Sequence, residues 1–184
     1  MTITEVPLNG FNHKLKNSTL NYPQSTNVSA PRFFFNMLSI ASQGQGKTYN
    51  IVKLIKDYEE HKLIDNDGIE HQLRTILLSP TYEANPIFNN LKSLSPNDIY
   101  STYSDEILQN IMDDIENIKE EIKEFQEYVN AYKILDKCPK EKIIKLLKKQ
   151  PEIFDVLEKH NYEHPDNIPQ PQYKAPPVNI FCFG

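Results

Sequence analysis

Arg32-Phe33-Phe34-Phe35-Asn36-Met37-Leu38-Ser39-Ile40-Ala41-Ser42-Gln43-Gly44-Gln45-Gly46-Lys47-Thr48 is the stretch on which the fold turns. Residues 33–40 form a nearly continuous apolar run, the pattern of a strand buried on both faces. A glycine-containing turn follows. Beyond it Ile51, Val52, Leu54, Ile55 and Tyr58 recur at helical spacing over residues 49–61. Asp65-Asn66-Asp67-Gly68 breaks that pattern, and Arg74-Thr75-Ile76-Leu77-Leu78 reads as a second buried strand, ended by Ser79-Pro80. Strand, helix and strand in this order predict a parallel βαβ unit with a right-handed crossover.

The turn itself has a pattern with a mechanism. Ala41-Ser42-Gln43-Gly44-Gln45-Gly46-Lys47-Thr48 matches a phosphate-binding loop, with Ala41 where the first glycine usually stands. Such a loop wraps a phosphate with successive backbone N–H groups, so side chains must be absent at Gly44 and Gly46. Lys47 supplies a point charge to the β- and γ-phosphates of ATP, and the Thr48 hydroxyl is placed to ligate Mg²⁺. The helix that starts near Gly46 adds its N-terminal dipole. Gln43 to Tyr49 are the candidate nucleotide-binding residues: Gln43, Gly44, Gln45, Gly46, Lys47, Thr48 and Tyr49. The competing reading is a Gly/Ser turn of purely structural use.

Further along, a third short strand is predicted at residues 98–103, and Ser104-Asp105-Glu106 is a good helix start. Leu108, Ile115, Ile122 and Val129 then recur every seven residues, with Ile111, Ile118, Phe125 and Tyr132 at the second heptad position. This is the pattern of a coiled-coil-like seam. Residues 105–127 hold nine acids and two lysines, whereas residues 133–149 hold seven lysines and two acids. A helical hairpin that folds the acidic half onto the basic half satisfies both patterns; self-association through the same seam is the rival. Residues 140–150, and a short segment from Pro151, supply the returning helices. The five prolines within residues 165–177 predict an extended linker, and Val178-Asn179-Ile180-Phe181-Cys182-Phe183 is another apolar strand.

The rest of the chain narrows the class. With 184 residues there is room for one domain plus an insertion. A net charge of −5 argues against a uniformly basic nucleic-acid binder, and no apolar run is long enough for a transmembrane helix. The first twenty residues lack the apolar core of a signal peptide. Residues 1–31, rich in Asn, Ser, Thr and Pro, read as a flexible arm. Cys138 and Cys182 match neither a metal clip nor a disulfide framework. His160 and His164 have i,i+4 spacing but no adjacent glutamate in the zincin manner, and read as surface histidines.

Gln43-Gly44-Gln45-Gly46-Lys47-Thr48, its flanking strand and helix, and Ile76-Leu77-Leu78-Ser79-Pro80-Thr81-Tyr82 followed by Asn85-Pro86-Ile87-Phe88 resemble the DNA-packaging ATPases of large double-stranded DNA viruses and virophages. These belong to the FtsK/HerA group of ring-forming P-loop motors. The resemblance spans residues 32–116 and resumes at the last strand. It implies an α/β fold, a P-loop NTPase-like parallel sheet interrupted by a long helical insertion. The division would be an arm at 1–31, a nucleotide-binding core at 32–104, a helical hairpin at 105–164, a linker at 165–177 and a returning strand at 178–184.

The same resemblance implies ATP hydrolysis coupled to translocation of viral double-stranded DNA into a capsid. Self-association into a ring, contacts with capsid or portal components, and a location in the host cytoplasm, a viral factory or the virion come with it; no membrane is involved. Lys47 is the catalytic residue the motif assigns. The family's acidic pair should end the last strand, but no Asp or Glu follows Asp166. Glu83, beyond Ser79-Pro80-Thr81, is the nearest substitute at a strand's end. The chain thus looks like the N-terminal part of a motor, from a split gene, a truncation or an intein that begins at Cys182. Two other readings stand beside it. One is a non-catalytic P-loop protein that interacts through its heptad helix; the other is a small-molecule kinase whose lid follows Asp105.

Overall fold

The computed structural model of the chain describes residues 22–31, 36–40, 42 and 44–184. Along them run β1 (Gln24–Ser25), α1 (Lys47–Glu60), β2 (Leu63–Ile64), β3 (Glu70–His71), β4 (Leu73–Leu78), β5 (Leu94–Tyr100), α2 (Asp105–Asp136), α3 (Ile143–Lys149), α4 (Pro151–Glu158) and β6 (Val178–Phe183). Among the described residues this is a mixed α/β structure with four helices and a parallel three-stranded sheet in the order β5-β4-β6. A smaller antiparallel sheet joins β1, β2 and β3.

Alternation along β4 sets the layers. Leu77 faces α1 and packs with Val52, Ile55, Phe88 and Leu91, with Ile180 and Cys182 of β6 alongside. Ile76 and Leu78 point the other way and meet Ile107, Leu108, Ile111 and Ile115 of α2. A strand covered on both faces has no use for alternating polarity, which is why Ile76-Leu77-Leu78 is continuous apolar sequence. β6 pairs with β4 in unbroken register from Leu73↔Val178 to Leu78↔Phe183. The β4–β5 pairing shifts between Thr75 and Leu77. Pro96, which has no N–H to give, is tolerated because β5 is an edge strand.

Five sequence expectations change. β5 covers Leu94–Tyr100 rather than residues 98–103, because pairing with β4 already starts where Leu94 lies opposite Thr75. The apolar run at 33–40 lies partly outside the described residues, and its described part, residues 36–40, is not a strand. Leu38 is 84% exposed and Ile40 82%. The topology shows where such a strand would have to pair. α1 and α2 cover opposite faces of the sheet, and the connection through α2 carries the chain from β5 across β4 to β6. With both crossovers right-handed, a strand leading through α1 into β4 must come from beyond β6. No described strand pairs with β6 on that side.

The arm expected at 1–31 is anchored over its described part. β1 pairs with β2, the Asn27 amide donates to both Asp57 carboxylate oxygens (3.0 and 2.8 Å), and the Tyr58 hydroxyl donates to the Pro31 carbonyl. Residues 1–21 lie outside the described residues. The proline-rich segment is neither extended throughout nor a free linker: it opens with the 3-10 turn Pro165–Asn167. Ile168 joins the cluster formed by Tyr128, Ala131, Ile153 and Leu157; Ala175 is buried; and His71 Nδ1 donates to the Pro176 carbonyl at 2.8 Å.

The long helix does form, from an N-cap Ser104 whose hydroxyl accepts the Ile107 N–H at 3.2 Å. Its apolar positions do not make a single seam. The first half lies on the sheet, and the second half packs Phe125, Tyr128, Ala131, Tyr132 and Leu135 with α4. At ~100° per residue Tyr128 and Ala131 lie roughly 100–160° round the helix from Ile111, so the buried line changes face where the partner changes from the sheet to α4. The hairpin therefore closes through α4 and its apolar residues. The acidic-onto-basic pairing is absent: among the described residues, the only ion pair between α2 and a later helix region is Lys159–Glu124, at 3.7 Å.

Candidate functional site

Glu59, in the last turn of α1, accepts from the Ser93 N–H (2.7 Å) and hydroxyl (2.6 Å) just before β5 begins. That bond fixes the helix direction. α1 runs antiparallel to the strands, so its N-terminus lies on the side of their C-terminal ends. In open parallel sheets this is the side on which ligands are bound.

The residues leading into α1 take the backbone form the motif needs. Gly44 has φ 79° and Gly46 has φ 77°, both left-handed, where a side chain would be strained. Space is open around both, since an added Cβ would meet no heavy atom within 4 Å. Gln45 N–H donates to the Ser42 carbonyl at 3.3 Å, and Asn50 N–H to the Gly46 carbonyl at 3.0 Å, which closes the first helical turn. Gly46 is the N-cap and offers no side chain to accept from that turn, and the turn contains no acidic residue. The partial positive charge of the helix end is thus left without a carboxylate from its own sequence.

Lys47 and Thr48, the first two residues of α1, are half-buried, while Gly44, Gln45, Gly46 and Tyr49 are exposed. Gln43 lies outside the described residues. Glu83 sits in the 3-10 turn Tyr82–Ala84 that follows β4, on the same side of the sheet as the loop; it is exposed and forms no ion pair among the described residues. Between them are the strand ends. Ser79 is buried, its hydroxyl is 3.3 Å from that of Thr81, and Gly184 lies so close that a Cβ there would be 3.0 Å from Ser79 Oγ. The structure brings the loop, the Ser79–Thr81 turn and the end of β6 to one side of the sheet.

Sequence reasoning left Arg74 without a role, and the structure gives it one. Its guanidinium is buried between β4, β5 and α2, where it bonds to Asp98 and Asp114. Beside it lies a polar cavity of about 440 Å³, bordered by Tyr100, Asp114, Glu121 and Tyr173. Burial pushes the phenol pKa of both Tyr100 and Tyr173 up. A lone arginine inside an apolar strand was the available signal, because a charge in that setting must be paired. His160 and His164 have a different use: their rings stand edge-on to Tyr128 (5.0 Å) and Tyr132 (5.2 Å), matching i,i+4 spacing on both sides.

Among the described residues no group of His, Cys, Asp and Glu could hold a metal by itself, and no helix is long and apolar enough to cross a membrane. No protein-family model, no curated protein and no solved structure matches this chain.

Proposed function

We propose that the chain binds MgATP through Ser42, Gly44 to Thr48 and the N-terminus of α1. The observation that carries this reading is the left-handed Gly44/Gly46 turn opening directly onto a helix whose first turn has neither a side-chain cap nor an acid. An anionic phosphate is what such a helix end lacks. Lys47 would hold the β- and γ-phosphates, and Thr48 the magnesium ion. ATP with Mg²⁺ is favoured over a bare anion because the two residues that open α1 are of the types that phosphoanhydride and metal require.

At a finer level, the Ser79-Pro80-Thr81-Tyr82 turn on the same side of the sheet as this loop supports the reading of the chain as the ATP-binding part of a viral genome-packaging motor. Titration calorimetry of MgATP against the wild type and Lys47→Ala tests the first level. Binding that disappears in the variant is the expected outcome, and equal affinities would overturn it. Anisotropy of a labelled DNA duplex, with and without a non-hydrolysable ATP analogue, tests the second. Absence of any nucleotide-dependent DNA binding would remove the motor while leaving the ATP site standing.

A further inference from the structure

The arm formed by α2, α3 and α4 carries two charged regions that do not neutralise each other. Asp113, Glu116 and Glu120 are exposed along the first half of α2. Lys133, Lys137, Lys140, Lys145 and Lys148 are exposed at the other end, and none of these five takes part in an ion pair among the described residues. The separation is built in. Asp113 and Lys133 lie on one continuous helix, ~30 Å apart along its axis at ~1.5 Å per residue. The Debye length at physiological ionic strength is ~8 Å. Among the described residues Glu116 pairs only with Lys119 of its own helix, and no ion pair links Asp113, Glu116 or Glu120 to the five lysines of the tip.

The basic end is apolar as well. Ile144 is 69% exposed, Leu147 45% and Ile134 44%. α3 sends Leu146 into the cluster formed by α2 and α4 and leaves Ile144 and Leu147 outside. On the acidic stretch Met112 is the matching exposed apolar residue. Met112 and Ile134 lie within ~40° of each other around the helix, so they share a face.

We propose that this face is a self-association surface, on which the basic tip of one arm docks against the acidic stretch of a second copy. Two arms laid antiparallel make the contact twice about a two-fold axis near the middle of α2, the isologous arrangement in which residue i meets j and j meets i. Ile134 then comes opposite Met112, and Lys133 opposite Asp113. Nucleic acid would use the lysines but not the isoleucines and leucine between them. A lipid surface would leave the acidic stretch without a partner.

Sedimentation velocity of the full chain at low and high salt tests the proposal. The wild type should be dimeric at ~50 mM salt and monomeric near ~1 M, because the contact is charge-driven. Lys133→Glu should shift the dimer toward monomer at low salt, and so should Asp113→Lys. Both sites are exposed, so circular dichroism should be unchanged in each variant. The double variant, which exchanges the signs, should recover the dimer. A wild type monomeric at every salt concentration would overturn the proposal, as would a double variant no more dimeric than the single ones. Tip-dependent binding of a DNA duplex or of anionic vesicles without dimerisation would reassign the surface.

Discussion

Arg74 and Asp98 face each other across two parallel strands and are joined by a buried two-pronged bond: Arg74 Nε donates to both carboxylate oxygens at 3.1 Å, and Nη2 donates to Oδ1. Nη2 also donates to Asp114 on α2 at 2.6 Å. Arg74 is 7% exposed and Asp98 3%. Burial opposes the guanidinium charge, and the hydrogen bonds to Asp98 and Asp114 more than offset it, so Arg74 is held charged beyond its ordinary range. The group ties β4, β5 and α2 together. It is an internal strut, not a side chain free to reach a neighbouring molecule.

Arg74→Met should therefore leave Asp98 buried without compensation and destabilise the fold by ~3–5 kcal/mol. Arg74→Met combined with Asp98→Leu should recover most of that loss, because no charge is then left inside. Urea unfolding of the two variants checks this. A single variant as stable as the wild type would show that the strut contributes nothing.

Thr48 and Gly46 separate metal from phosphate. Thr48→Ala should weaken ATP binding in the presence of Mg²⁺ and leave the smaller metal-free affinity intact, whereas Thr48→Ser should retain both. Gly46→Ala should weaken both, since a left-handed φ costs an L-residue ~1–2 kcal/mol. Calorimetry with and without chelator resolves the cases, and a Thr48→Ala variant equally weakened with and without metal would contradict the assigned role.

Turnover is a separate question from binding. Glu83 is exposed in its turn, and among the described residues no other acid follows β4 or β5 on the loop's side apart from those that open α2. The 184-residue chain should thus bind ATP with negligible hydrolysis. In P-loop GTPases, removal of an arginine finger alone lowers the rate by ~10³–10⁵. A phosphate-release assay showing turnover near ~1 s⁻¹, lost in Lys47→Ala, would refute this and make Glu83→Gln the next variant.

Cys182 lies in β6 and packs into the cluster beneath α1, and burial pushes its thiol up to about 11. At pH 8 iodoacetamide should label Cys138 and spare Cys182 until the protein unfolds. The linkage follows from the sign of the shift. The raised folded-state value favours the neutral thiol, so this contribution to stability is complete below the ordinary value near 9 and is lost as pH rises toward 11. A wild type less stable at pH 10 than Cys182→Ala, relative to their difference at pH 7, is the expected result.

Ile122 is 3% exposed, and Ile118 borders the polar cavity. Ile122→Asp should cost several kcal/mol, on the order of a buried unpaired polar group or more, and reduce helix content. Ile118→Asp should cost less, since the cavity offers its carboxylate solvent. Equal melting temperatures for the two variants would show that Ile122 is not a core position.

Much of this was readable along the chain because the signal was local. Tyr49 to His61 carry one apolar face and Ile76-Leu77-Leu78 of β4 is continuously apolar; either pattern suffices to name its element. Ser104 with Asp105 and Glu106 marks the start of α2, and Gly44 and Gly46 mark the loop, because caps and left-handed turns depend on the residue at the position itself. Other features required partners distant in sequence. Asn36 to Ile40 look like a strand and are not one: they pair with neither sheet, although the outer edge of β6 has no described neighbour. The heptads of α2 promised one seam. Tertiary structure divided them between the sheet and α4, because a helix of 32 residues outruns the sheet that covers its first half. Arg74 was visible as an anomaly, but Asp98 and Asp114, 24 and 40 residues away, could be assigned to it only once β5 and α2 were folded against β4. What the sequence determined by itself is what backbone sterics and apolar periodicity enforce residue by residue; which charges are paired, and which apolar faces are left to a partner, is decided by packing between segments that the order of residues does not bring together.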